Sequence, residues 1–128
     1  MNQAAYNGYW EATAETGDTD YMYIDSDKGR IVLKIHYSHG PFLMKLWFNH
    51  LSDNTFQARL NPESEAQQFQ MEMDGEDLKA THSDLNVPSN EFSQIDEATA
   101  PKEFVKDVNW ANRTMDTVER NLAKKKKK

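Results

Sequence analysis

The sequence predicts a mainly β fold: an antiparallel up-and-down meander of seven to eight strands that closes into a barrel, with one C-terminal amphipathic α-helix. Three observations carry this expectation. From Arg30 to Leu60, apolar and polar residues alternate at period 2 over three consecutive segments. Clusters rich in Gly, Asp, Asn and Ser separate these segments from one another and from their neighbours. After residue 100 the apolar period becomes that of a helix. Alternation puts one set of side chains on a buried face, whereas spacings of three and four line up a helix stripe.

Taken in order, strand one starts at Gly8 and ends near Glu15, with Trp10, Ala12 and Ala14 sharing a face. Gly17-Asp18-Thr19-Asp20 turns the chain into a second strand, Tyr21 to Asp25, and Asp27-Lys28-Gly29 turns it again. Ile31, Leu33, Ile35 and Tyr37 then oppose Val32, Lys34 and His36. After Ser38-His39-Gly40-Pro41 come Phe42, Met44, Leu46 and Phe48, opposite Leu43, Lys45, Trp47 and Asn49. Ser52-Asp53-Asn54 leads to Phe56, Ala58 and Leu60, and Asn61-Pro62 ends the run because proline brings no N–H to a ladder. Gln67 to Met73 places Phe69, Met71 and Met73 on one face, and Asp74-Gly75 signals a tight hairpin into Leu78, Ala80 and His82. Residues 83–100 read as a loop with a short eighth strand, Glu91 to Ile95. A meander of this length exposes two edges unless it closes on itself.

The helix is expected from about Pro101 to Leu122, with proline in its first turn. Phe104, Val108, Ala111, Met115, Val118 and Leu122 recur at spacings of 4, 3, 4, 3 and 4, a single apolar stripe. Such a stripe packs on the outside or end of the sheet; its period also suits the seam of a homodimer or a contact with another protein.

The length of 128 residues fits one domain, residues 1–122, followed by a lysine tail at 123–128 that reads as disordered. Hydrophobic content of 38%, with 3 Trp, 5 Tyr and 6 Phe, is enough for a packed core. The absence of cysteine excludes disulfides, thiolate metal sites and cysteine nucleophiles. No segment approaches the ~18 apolar residues of a transmembrane helix. No signal peptide is evident, so the expectation is a soluble protein, either cytoplasmic or an exported mature form. Net charge is -6, but residues 1–123 hold 10 basic and 21 acidic side chains, a net of -11. A body this acidic repels phosphate backbones, which argues against nucleic acid as a partner. The lysine run itself suits an acidic surface or anionic lipid.

Gly8-Tyr9-Trp10 at the start of strand one resembles the Gly-x-Trp of lipocalin-like (calycin) barrels, and the meander followed by a helix has the same order. The segments Asp27 to Leu33 and Asn54 to Phe56 are also similar to the small lipocalin-like domains that follow some serine-hydrolase domains. The resemblance implies an eight-stranded barrel whose interior is either filled by side chains or holds one small ligand.

Catalytic motifs are missing from the sequence. There is no G-x-S-x-G, no S-x-x-K and no Gly-rich phosphate loop, so neither enzymatic activity nor a cofactor is expected. His36 and His39 read as surface residues. His50 and His82 share the inward parity but lie near strand ends, where such residues more often meet water. None of the four forms a metal-ligand pair by spacing, so no metal is expected. Asp25-Ser26-Asp27-Lys28-Gly29 has its glycine one position early for a calcium loop and reads as a hairpin turn. The residues expected to line a ligand cavity are Trp10, Leu33, Ile35, Tyr37, Met44, Leu46, Phe48, Phe56, Phe69, Met71, Met73 and His82. Inward alanines leave room there, and methionines adapt to apolar guests. The expected function is therefore binding of a small hydrophobic or amphipathic, lipid-like molecule, with His82 or Tyr37 orienting its polar end. The alternative is a filled barrel serving as a protein-interaction, inhibitor or accessory module. It would act through an exposed aromatic face (Tyr9, Leu43, Trp47) or through the helix.

Overall fold

Eight strands form one closed antiparallel barrel: β1 Gly8–Thr13, β2 Thr19–Asp25, β3 Arg30–Tyr37, β4 Gly40–Ser52, β5 Thr55–Arg59, β6 Gln67–Asp74, β7 Asp77–His82 and β8 Asn90–Ile95. Each strand pairs with the next, and β8 returns to β1 through Tyr9 opposite Ile95 and Glu11 opposite Ser93. One helix, α1 Lys102–Lys126, follows. The structure is a computed structural model and describes residues 6–13, 17–37, 40–52, 54–82 and 90–126. Ala14 and His39 lie outside these residues, and so do the side chains of Tyr37 and His82.

The up-and-down meander, the barrel and the single helix agree with the sequence reading, including its eighth strand. Several boundaries differ, three of them with a structural reason. Strand β2 begins at Thr19, so Asp20 sits in a strand rather than a turn; it is fully buried and accepts the His36 backbone N–H at 2.8 Å. Strand β4 spans 13 residues because it serves two partners. Its first part, Gly40 to Trp47, pairs with β3, and Trp47 to Ser52 pairs with β5, with a register shift between His50 and Ser52 that bends the barrel wall. The β6–β7 hairpin has Gly75-Glu76 at its tip, one position later than Asp74-Gly75, since Asp74 pairs with Asp77. Gly75 supplies the positive φ, +66°, that this tight turn needs.

The helix runs to Lys126, past the expected end at Leu122 and into the lysine run. Alanine and lysine are good helix formers, and cations at the C-terminal end complement the helix dipole. Its start matches the sequence: the Val105 N–H bonds the Pro101 carbonyl at 3.1 Å, and Glu103 sits in the first turn.

Two apolar clusters hold the molecule together. The first fills the barrel, with Tyr6, Trp10, Met22, Leu33, Leu46, Phe56, Phe69, Met71, Leu78 and Phe92 among its members. Cross-strand rows build it, for example Trp10–Met22–Leu33–Met44 around four strands. The second cluster lies outside the barrel and under the helix: Tyr9, Val32, Phe104, Val108 and Ala111, with Tyr21, Tyr23, Leu43 and Ile95 against them. Where the helix lies, strands β1 to β4 thus carry apolar side chains on both faces. Strands β5 to β8 turn Gln57, Gln68, Gln70, Glu72, Lys79, Glu91 and Ser93 outward, so that half of the wall faces water.

Candidate functional site

The barrel interior is the first candidate. Of the twelve residues expected to line a cavity, eight (Trp10, Leu33, Ile35, Leu46, Phe48, Phe56, Phe69 and Met71) belong to the interior cluster and are at most 6% exposed. Met44 and Met73 are partly buried against it. Tyr37 and His82 close β3 and β7, where Tyr37 pairs with Gly40 and His82 with Phe69. The expected residues do converge, but they converge on one another. Phe56 stacks on Phe69 with centroids 5.6 Å apart and tilts against Phe48 at 6.0 Å. His50 follows its inward parity and meets Phe56 at 5.0 Å. Even the inward alanines, Ala12, Ala58 and Ala80, are at most 6% exposed. These side chains pack on their neighbours.

Tyr6 is the interior residue that the strand pattern does not reveal, because it precedes β1. It is 1% exposed and meets Phe56 edge-on at 5.7 Å. Its carbonyl accepts the Trp10 indole N–H at 2.9 Å, and its hydroxyl donates to the Met71 carbonyl at 3.4 Å. A buried indole requires an acceptor, which was the one sign in the sequence that something must sit beside Trp10. Gly8 has φ +121°, and a Cβ there would lie 2.9 Å from the Gln94 amide nitrogen, which donates to the Asn7 carbonyl at 2.9 Å.

The outer face of β1 to β4 is the second candidate. Tyr9 and Leu43 are not the exposed aromatic face that the alternative reading expected; the helix covers them. Tyr9 is 7% exposed, with centroids 4.9 Å from Tyr23 and 6.1 Å from Phe104. Burial and the neighbouring Glu97 push its phenol up to about 12. Trp47 is half-buried and donates to Glu119 at 3.0 Å. The helix stripe faces the same surface: Phe104, Val108, Ala111 and Met115 are at most 1% exposed against the barrel. Polar contacts flank this seam. The Arg30 guanidinium, 2% exposed, reaches Asp116 at 2.7 Å, Glu119 at 2.6 Å and the Asn112 side chain at 3.1 Å. Lys34 pairs with Asp107 at 3.2 Å, and the Lys45 ammonium sits 4.8 Å from the Trp110 ring centroid. Burial opposes the charge on Arg30, but the bonds from Asp116 and Glu119 outweigh it and raise its pKa. Arg30 holds Asp116 below the usual carboxylate range. Burial works against Glu119 too, yet Trp47 and Arg30 lower it.

The remaining residues expected to carry chemistry are dispersed. His36 is half-buried rather than on the open surface, with Nδ1 3.2 Å from Asp20. Asp25 accepts the Lys28 N–H at 3.1 Å, as a hairpin turn does. Among the described residues no three His, Asp or Glu side chains are grouped as a metal site would need, and no helix is long and apolar enough to cross a membrane. Compared with protein-family models, with curated proteins and with solved structures, the chain gives no match in any of the three. The fold defines its class: a small eight-stranded up-and-down β-barrel with an external C-terminal helix, compatible with a lipocalin-like barrel.

Proposed function

We propose that this chain is a non-enzymatic binding module whose barrel is a filled scaffold and whose working surface is the outside, with the C-terminal helix foremost. The observation that supports this reading is the packing of the interior. Trp10, Phe56, Met71 and Leu78 are each at most 1% exposed, packed against their neighbours in the interior cluster, which favours a filled barrel. A module with a filled core spends its interior on stability and leaves recognition to its surface. The lack of any nucleophile or phosphate-loop motif supports the non-enzymatic part of the reading.

A lipocalin-like carrier of a small apolar molecule is the second reading, favoured by one feature of the rim. Phe42 is 53% exposed and Met44 partly buried on the part of β4 that pairs only with β3, beside Ile35 and Leu33. These residues offer an apolar entrance to an otherwise packed barrel. Titration with a fluorescent fatty acid separates the two readings. The filled-barrel module takes up no stoichiometric probe. Saturable uptake at one probe per chain, abolished in Met71→Trp, would return the carrier to first place.

A further inference from the structure

The charges of this protein are segregated. Residues 1–101 carry 6 basic and 17 acidic side chains, a net of -11, while residues 102–128 carry 9 basic and 4 acidic, a net of +5. The helix sharpens this division. Three of its four acids are engaged by cations of the barrel: Asp107 is held by Lys34, and Asp116 and Glu119 by Arg30. Its cations do the opposite. At 3.6 residues per turn, Lys102, Lys106, Arg113, Arg120 and Lys124 fall within about 40° of one another, opposite the buried stripe. All five are exposed, and none makes an ion pair among the described residues. The spacing along the axis from Lys102 to Lys124 is about 33 Å at 1.5 Å per residue. Asn109 and Thr117 lie between the cations, and the acid that flanks the ridge, Asp116, is already bonded to Arg30.

We propose that this ridge docks the protein on an anionic lipid surface, with the helix lying flat and the lysine run extending the contact. The inference rests on the reading that the outside is the working surface. Three features favour a bilayer over other polyanions. The cations form a straight line on a rigid rod, which matches a plane and offers no concave track for a nucleic-acid backbone. Trp110, 46% exposed, lies on the same side of the helix, where an indole can enter the headgroup region. Exposed acids (Glu63, Glu65, Glu72, Glu76, Glu91) sit on β6 to β8 and adjacent turns, away from the helix, so the molecule has a charge asymmetry that would orient it ridge-first. Attraction is electrostatic and involves no insertion of Phe104, Val108, Ala111 or Met115, because the barrel already buries them.

Co-sedimentation with phosphatidylcholine vesicles, with and without phosphatidylserine, tests this on the full chain. Binding should require phosphatidylserine and disappear as ionic strength rises toward 1 M, where the screening length is ~3 Å. The triple variant Lys106→Glu, Arg113→Glu, Arg120→Glu should bind at least about tenfold more weakly while keeping the wild-type circular dichroism and melting transition. A chain lacking Lys124 to Lys128 should retain part of the binding. If the tail deletion abolishes binding and the triple variant leaves it unchanged, the ridge is not the docking surface. If the protein ignores phosphatidylserine vesicles, or retains duplex DNA in their place, the lipid partner is wrong. Neither failure alters the fatty-acid titration, so this inference and the filled-barrel reading fall separately.

Discussion

The Arg30 guanidinium meets the Glu119 carboxylate at 2.6 Å across 89 residues of chain, and this contact fastens the far end of the helix to the barrel. The same nitrogen bonds Asp116 at 2.7 Å, while the guanidinium Nε finds no acceptor among the described residues. Breaking the clamp has a cost that depends on what replaces it. Arg30→Ala removes a buried side chain but leaves Asp116 and Glu119 half in water, so the loss should be about 1–3 kcal/mol in a urea titration. Arg30→Met keeps the volume without the charge and should cost less than Arg30→Ala. Arg30→Lys cannot span both carboxylates with a planar fork and should also destabilise.

Acidification should loosen the same contact. Asp116 and Glu119 are both held below their ordinary values, so their contribution is present above the usual carboxylate pKa near 4 and is lost as pH falls below it. The denaturation midpoint should therefore decline with pH in that range, and less steeply in Arg30→Met. At the alkaline end the sign reverses. Tyr9 is raised to about 12 in the fold, so the unfolded chain ionises first and stability falls as pH climbs from ~10 towards 12.

Gly29 and Gly75 both have positive φ but differ in their surroundings. A Cβ on Gly29 would lie 2.8 Å from the Phe48 carbonyl oxygen, a backbone atom that donates no room, whereas a Cβ on Gly75 meets nothing within 4 Å. Gly75→Ala should cost only the backbone strain, ~1–2 kcal/mol. Gly29→Ala should cost more, since the Phe48 N–H also bonds the Gly29 carbonyl at 2.8 Å and the hairpin cannot shift freely. Comparison of the two melting temperatures checks the order.

Trp10→Phe should remove the indole bond to the Tyr6 carbonyl and leave that carbonyl buried without its donor, a loss of about 1–3 kcal/mol. Tyr6→Phe keeps the ring that meets Phe56 and loses the long hydroxyl contact to Met71, so it should cost less than Trp10→Phe. Paired urea titrations measure both.

Most of the barrel was legible because alternation is a local property: Leu33, Leu46 and Met71 declare an inward face within their own strands. Closure was legible because an open meander of eight strands leaves edges to cover. What sequence alone could not assign was the second covered face. Val32, Tyr21 and Tyr23 sit at positions that alternation marks as outward, and only the packing of Phe104 and Val108 against them makes those positions core. For the same reason Tyr9 and Leu43 looked free for a partner when the chain's own helix covers them. Arg30 and Asp20 were hidden because a charged residue reads as a surface residue until its partners, here 86 and 16 positions away, are known. How closely the interior packs depends on how large side chains from different strands interlock, which periodicity does not record.

Native mass spectrometry of the purified chain after incubation with a cell lipid extract tests the filled-barrel claim most directly. A filled barrel gives the mass of the bare polypeptide under conditions that preserve non-covalent complexes, for wild type and for Met71→Trp alike. A one-to-one adduct retained by the wild type and absent from Met71→Trp would contradict it.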